Sequence, residues 1–192
     1  MMNNQSLINA ENIAYKINDK KLFHNLSFYV NKGEALHICG SNGSGKSTLI
    51  RIILGITHQT KGNLNAGNTK KICYLGHKNA LKSYLSVADN LMLLDLDDHI
   101  ELDLYLKKLE LKELLDITIA NLSFGQQKKL ALLRIFLNDS DLIVLDEPFV
   151  GLDKKTLDLV TDFLVKELDA NKGIIYTSHI HCEIKSRILN LE

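Results

Sequence analysis

The sequence predicts an α/β protein built around a parallel β-sheet. Three short runs, ALHIC (35–39), DLIVLD (141–146) and IIYTS (174–178), are apolar almost throughout, as strands buried on both faces are. Between them lie segments with helical apolar spacing, and strands alternating with helices imply parallel crossover connections. A Gly-rich loop also stands directly between the first of these runs and the helix that follows it.

The elements follow in order. Leu26, Phe28 and Val30 alternate with Ser27, Tyr29 and Asn31, a half-buried strand ending at the Gly33 turn. With the preceding LINAENIAYKI (7–17) it predicts an antiparallel pair. After ALHIC and the Gly-rich loop, KSTLIRIILG (46–55) reads as a helix closed by Gly55. KICYL (71–75) is a further strand. From Ser86 to Asp116 the chain is Leu-rich and acidic without Gly or Pro. Leu102, Leu106 and Leu109 fit a helical face there, while Ile100, Leu102, Leu104 and Leu106 also alternate at period two. Length and composition favour helix, so a helical subdomain inserted over about residues 83–135 is expected. After DLIVLD, residues 153–173 predict a helix with Leu157, Val160, Leu164 and Leu168 on one face and Gly173 at its end. IIYTS and RILNL (187–191) complete the strands. No repeat, low-complexity segment or linker interrupts the chain, which predicts one domain over residues 1–192.

Composition narrows the function. The 192 residues are enough for one domain with a sizeable core. The 23 basic residues balance the 23 acidic ones, which argues against a nucleic-acid partner. No apolar run approaches a membrane span, and the polar start MMNNQS lacks a charged-then-apolar leader, so a cytosolic chain able to dock on a membrane protein is expected. Cys39, Cys73 and Cys182 are scattered, without a Cys-x-x-Cys pair, which suits a reducing compartment and argues against a disulfide framework or structural zinc.

The strongest chemical signal is GSNGSGKST, residues Gly40, Ser41, Asn42, Gly43, Ser44, Gly45, Lys46, Ser47 and Thr48. A Gly, four residues, then Gly-Lys-Ser is the phosphate-loop pattern. Its glycines let backbone N–H groups turn inward onto phosphate, and the helix that follows adds its positive end. Lys46 would bridge the β- and γ-phosphates, and Ser47 would ligate Mg²⁺. In DLIVLDEP, Asp146 ends a buried strand where a carboxylate can hold Mg²⁺, and Glu147 is placed to orient or deprotonate an attacking water. An Asp-Glu pair after an apolar strand can also be a plain solvated strand end. The phosphate loop about 100 residues upstream favours the metal-and-base reading. The single proline, Pro148, then shapes the turn beside Glu147.

LSFGQ (122–126) closely resembles the LSGGQ signature of the ATP-binding-cassette (ABC) ATPases, with Phe124 at a position usually held by a small residue. The resemblance implies a P-loop NTPase core of the RecA-like type, an N-terminal antiparallel β subdomain and a helical signature subdomain. It also implies an ATP-dependent homodimer, in which Ser123, Gly125 and Gln126 contact ATP held by the opposite subunit. Gly151 to Asp153 (GLD) resembles the loop that crosses the dimer interface, and His179 the switch histidine that contacts the γ-phosphate. HIHC (179–182) is also open to reading as a surface metal or haem ligand cluster, though without a defined ligand spacing. An aromatic stacked on adenine is expected in the N-terminal sheet. Tyr15 is the nearest candidate, while the register from LFHNLSF points nearer Ile17.

Most ABC ATPases carry, after the KICYL-type strand, a glutamine that touches Mg²⁺ and the attacking water in a loop abutting the membrane partner. Here His77 stands in that place. GHKNALKSYLSVADNL (76–91) resembles the GH…K…LT…ENL pattern of the ATP-binding subunits of cytochrome c maturation haem exporters. KLFHNLSF, LSFGQQKKLAL and DEPFVGLD agree with that branch. Imidazole can hydrogen-bond where Gln would and can also titrate near neutral pH. From position alone, His77 and Lys78 could equally be a solvated loop pair. The resemblance implies ATP and Mg²⁺ as ligands and integral membrane subunits on separate chains. It implies a peripheral location on the cytoplasmic face of the inner membrane, without direct haem binding. The alternatives are the ATPase of another small ABC transporter, or a soluble ABC ATPase of translation or DNA repair. The latter usually shows two cassettes, a coiled-coil insertion or a basic surface.

Overall fold

A computed structural model describes residues 6–18, 20–67, 69 and 71–191, so the polar start apart from Ser6 lies outside the described residues. Strands β1 (Ser6–Ile17) and β2 (Lys20–Asn31) pair antiparallel, as their alternation predicts. A third strand, β4 (Lys61–Asn65), joins the other edge of β1. It escapes sequence reading because Leu64 is its only apolar residue. The second sheet is parallel throughout, in the order β5 (Ile72–Leu75), β6 (Leu142–Asp146), β7 (Gly173–Thr177), β3 (Ala35–Cys39), β8 (Arg187–Asn190).

The parallel sheet separates two cores, which explains its continuous apolar runs. On β6, Leu142 and Val144 face a cluster shared with helix α1 (Lys46–Ile53) and the antiparallel sheet. Ile143 and Leu145 face the other cluster, formed with α4 (Phe124–Phe136) and α5 (Lys154–Asp169). Every residue of β6 and β7 is buried. Helix α1 ends as expected: Gly55 takes φ 71, and the Ile56 N–H donates to the Arg51 carbonyl across the closing turn.

One expectation needs correction. Gly173 does not close α5, which ends at Asp169, with Asn171 at φ 63 making the exit. Gly173 instead opens β7, where a Cβ would stand 2.5 Å from Leu7 Cδ1 and 3.1 Å from Leu142 Cδ1. The Ser86–Asp116 stretch carries helices, as its length and composition lead one to expect, in short pieces. It holds α2 (Val87–Leu93), α3 (Leu102–Lys108) and a 3-10 turn at Lys112–Leu114, broken where Asp95 and Glu110 adopt positive φ. Burying Leu91, Leu96, Leu106, Leu109 and Leu111 together outweighs the propensity for an unbroken helix. The helical reading of this region does win over the period-two one, since Leu106 is 4% exposed and Ile100 95%.

Candidate functional site

The loops after β3, β5, β6 and β7 converge at the carboxyl ends of the parallel strands, where open α/β sheets hold ligands. They enclose a cavity of about 860 Å³. Asn42, Gly43, Gly45, Lys46, Ser47 and Thr48 line it from the Gly-rich loop and α1. His77, Asp146, Glu147 and His179 line it from the other strand ends. The remaining loop residues, Gly40, Ser41 and Ser44, do not line it. Gly40 sits at φ 152, where a Cβ would meet Ser44 Oγ at 2.5 Å and the Leu191 carbonyl at 2.8 Å. Gly45 caps α1 at φ 103, a left-handed conformation that favours glycine. The Lys46 ammonium arches back over the loop, donating to the carbonyls of Gly40 (2.7 Å) and Ser41 (3.1 Å).

Asp146 joins the loop to the central strand. Its Oδ2 accepts from Ser47 Oγ and its Oδ1 from Thr177 Oγ1, both at 2.8 Å. Thr177 Oγ1 also accepts the Glu147 N–H at 2.9 Å. Glu147 has φ 52, an uncommon conformation for a residue with a Cβ. Its Oε2 accepts the His179 N–H at 3.3 Å. Its Oε1 lies 3.3 Å from His179 Nε2 but outside hydrogen-bond geometry, a buried carboxylate oxygen without a hydrogen-bond partner among the described residues. Ser44 Oγ, inside the loop, is a second such orphan.

Ser123, Gly125 and Gln126 stand apart from this cavity, at the start of α4. Ser123 and Gln126 form a reciprocal capping box: Ser123 Oγ accepts the Gln126 N–H (3.2 Å) and Gln126 Oε1 accepts the Ser123 N–H (2.8 Å). The exposed Phe124 ring packs on the GLD loop, where a Cβ on Gly151 would collide with it. Lys129 pairs with Asp153 at 2.8 Å, and Asp153 also caps α5 through the Thr156 N–H. Lys129 and that cap hold the Asp153 carboxyl well below the usual carboxylate range.

His77 is exposed and lies where the main cavity meets a second one of about 480 Å³, which also shares Ser47 and Asp146. Its loop is held from α4 by Arg134, whose Nη2 donates to the Asn79 carbonyl at 2.6 Å. Burial pushes both Arg134 and Lys128 below their ordinary ranges, the Asp146 and Glu147 carboxylates partly opposing this at Lys128. Of the two adenine-side candidates, Ile17 lines the cavity. Tyr15 stacks on Phe23 in the core instead, with ring centroids 6.3 Å apart. Among the described residues no three His, Cys, Asp or Glu side chains are placed to hold a metal, so HIHC forms no such cluster.

Sequence reading missed Thr177, Lys128 and Arg134. Lys128 alone left a signal: a lysine on the apolar stripe it shares with Ala131, Leu132 and Ile135.

A phosphate loop before a helix, with a carboxylate pair on a neighbouring parallel strand, defines the P-loop nucleotide hydrolases as the class. The sequence pattern of the ABC transporter family matches residues 23–150. A cytochrome c biogenesis ATP-binding export protein of Idiomarina loihiensis is 36% identical over 190 residues, covering 92% of this chain and 87% of that protein. Its counterpart in Xanthomonas axonopodis pv. citri is 33% identical over 201 residues, covering 97% and 94%. Among solved structures, an ABC transporter ATP-binding subunit superposes with TM-score 0.78 at 22% identity, over 91% of this chain and 80% of that one. CbiO1 of Clostridium perfringens, part of the ABC transporter complex cbiONQ, gives 0.68 at 24%, over 92% and 79%. The chain belongs to the ABC transporter family, as an ATP-binding subunit whose ATP hydrolysis powers transport. Such subunits work with membrane subunits in a transporter complex, and no described helix of this chain is long and apolar enough to cross a membrane.

Proposed function

We propose that this chain is the ATPase of a cytochrome c maturation export system, energising separate membrane subunits from the cytoplasmic face of the inner membrane. The mechanism rests on one observation: Asp146 is bonded to the phosphate-loop Ser47, and the adjacent Glu147, which lines the same cavity, has a buried carboxylate oxygen 3.3 Å from His179 Nε2 and without a hydrogen-bond partner among the described residues.

The loop N–H groups and Lys46 hold the ATP phosphates, with Lys46 moving from its own loop carbonyls onto the β- and γ-phosphates. The Ser47 hydroxyl and the Asp146 carboxylate form an all-oxygen donor set already 2.8 Å apart, which fits Mg²⁺. The ion would neutralise charge on the β- and γ-oxygens. Glu147 Oε1 accepts a proton from the attacking water. His179, held against Glu147 by its own N–H, turns its ring to the γ-phosphate. His77 occupies the glutamine position between nucleotide and membrane partner. Ser123, Gly125 and Gln126 complete the site of a second copy of this chain, which accords with their distance from the chain's own cavity. The partners are membrane subunits and that second copy. Nucleic acid and haem are not bound by this chain.

The export-system reading draws on the relatives' printed names and on the His77 segment. Deleting the gene should abolish c-type cytochromes while b-type cytochromes persist, as read by haem-stained gels and difference spectra. The wild-type gene should restore them and Lys46→Ala should not. Normal c-type cytochromes in the deletion strain would exclude this export system while leaving the ATPase assignment intact.

A further inference from the structure

Lys128 lies on the buried stripe of α4 and is only 2% exposed. Lysine is rarely buried so completely unless something holds its ammonium. Here the partner is a main-chain atom: Nζ donates to the carbonyl of Glu147 at 3.1 Å. That peptide needs holding. Glu147 sits at φ 52 with Pro148 next in the chain, a conformation that costs on the order of 1–3 kcal/mol and persists only where its surroundings over-determine it. Three elements supply the restraint: β7 through Thr177 at the N–H, the following loop through the His179 N–H at the carboxylate, and α4 through Lys128 at the carbonyl.

We propose that Lys128 is a positioning residue for ATP hydrolysis, its buried ammonium locking the Glu147 carbonyl and so aiming the Glu147 carboxylate into the nucleotide cavity. Lys128 rides on the same helix that opens with Ser123, so the bond also makes that aim depend on where α4 stands. The inference rests on the proposed role of Glu147.

Lys128→Met keeps the length and apolar packing of the side chain and removes the donor. In the assembled transporter it should lower kcat roughly 10–100-fold, the scale expected when a reacting group is misplaced by about 1 Å. KM, and the Kd for a fluorescent ATP analogue, should stay within about twofold. In a Glu147→Gln background the same substitution should cause no further loss, because both act through one carboxylate. Wild-type kcat in Lys128→Met, an equal loss of nucleotide affinity, or an additive loss in the double variant would each overturn the inference. An inactive Glu147→Gln beside a fully active Lys128→Met removes this inference alone. Normal turnover in Glu147→Gln removes the reading on which it stands.

Discussion

Thr177 shows how closely the site is coupled at the scale of single residues. It pairs in register with Asp146 on one side and Ile38 on the other, so its backbone lies between the carboxylate strand and the strand that feeds the phosphate loop. Its hydroxyl donates to Asp146 Oδ1 and accepts the Glu147 N–H, spending its hydrogen on one proposed catalytic neighbour and a lone pair on the other. Thr177→Val preserves shape and leaves both groups without that partner. Each unsatisfied buried group costs about 1–3 kcal/mol, so urea denaturation should show destabilisation in that range or above, with kcat falling together with stability. A variant as stable and active as wild type would show that water replaces the hydroxyl. The phosphate loop and the Asp146–Glu147 pair, which the structure brings to one cavity, stand out in the sequence because the chemistry proposed for them requires particular residues next to one another in the chain. Thr177 was not, and Lys128 showed only as a lysine on an apolar stripe without its partner, since they act on residues 31 and 19 positions away. Only folding makes those pairs neighbours.

The same division holds for whole elements. Strands β6 and β7 were readable because both faces are buried, so every position must be apolar or satisfied. Strand β4 was not, because four of its five residues are exposed and its place is set by pairing with β1. The ambiguous stretch around residues 100–109 was settled by packing. There α3 and its exit turn bury Leu106 and Leu109 and leave Ile100 and Leu104 exposed. That arrangement predicts sharply unequal effects. Leu106→Ala should cost about 2–5 kcal/mol, as deletions from filled cores do, and Ile100→Ala within about 0.5 kcal/mol. Equal losses in chemical denaturation would restore the period-two reading.

At the scale of the whole molecule, one parallel sheet serves two cores and one site. The core with α1 and the antiparallel sheet fixes the phosphate loop, and the core with α4 and α5 carries the signature helix. Side chains from α4 cross to the site at two points, Lys128 to Glu147 and Arg134 to the His77 loop. This architecture ties nucleotide chemistry to a helix that, in the proposed assembly, faces a second copy of the chain. The family likeness was legible early because its motifs are local and ordered along the sequence; the tethers from α4 became visible only with the fold. The most direct test of the central claim is ATP turnover by Glu147→Gln in the assembled transporter. Without its general base kcat should fall by roughly 10²–10⁴, the contribution of a positioned general base, with ATP still bound at near wild-type affinity. Turnover at the wild-type rate would contradict it.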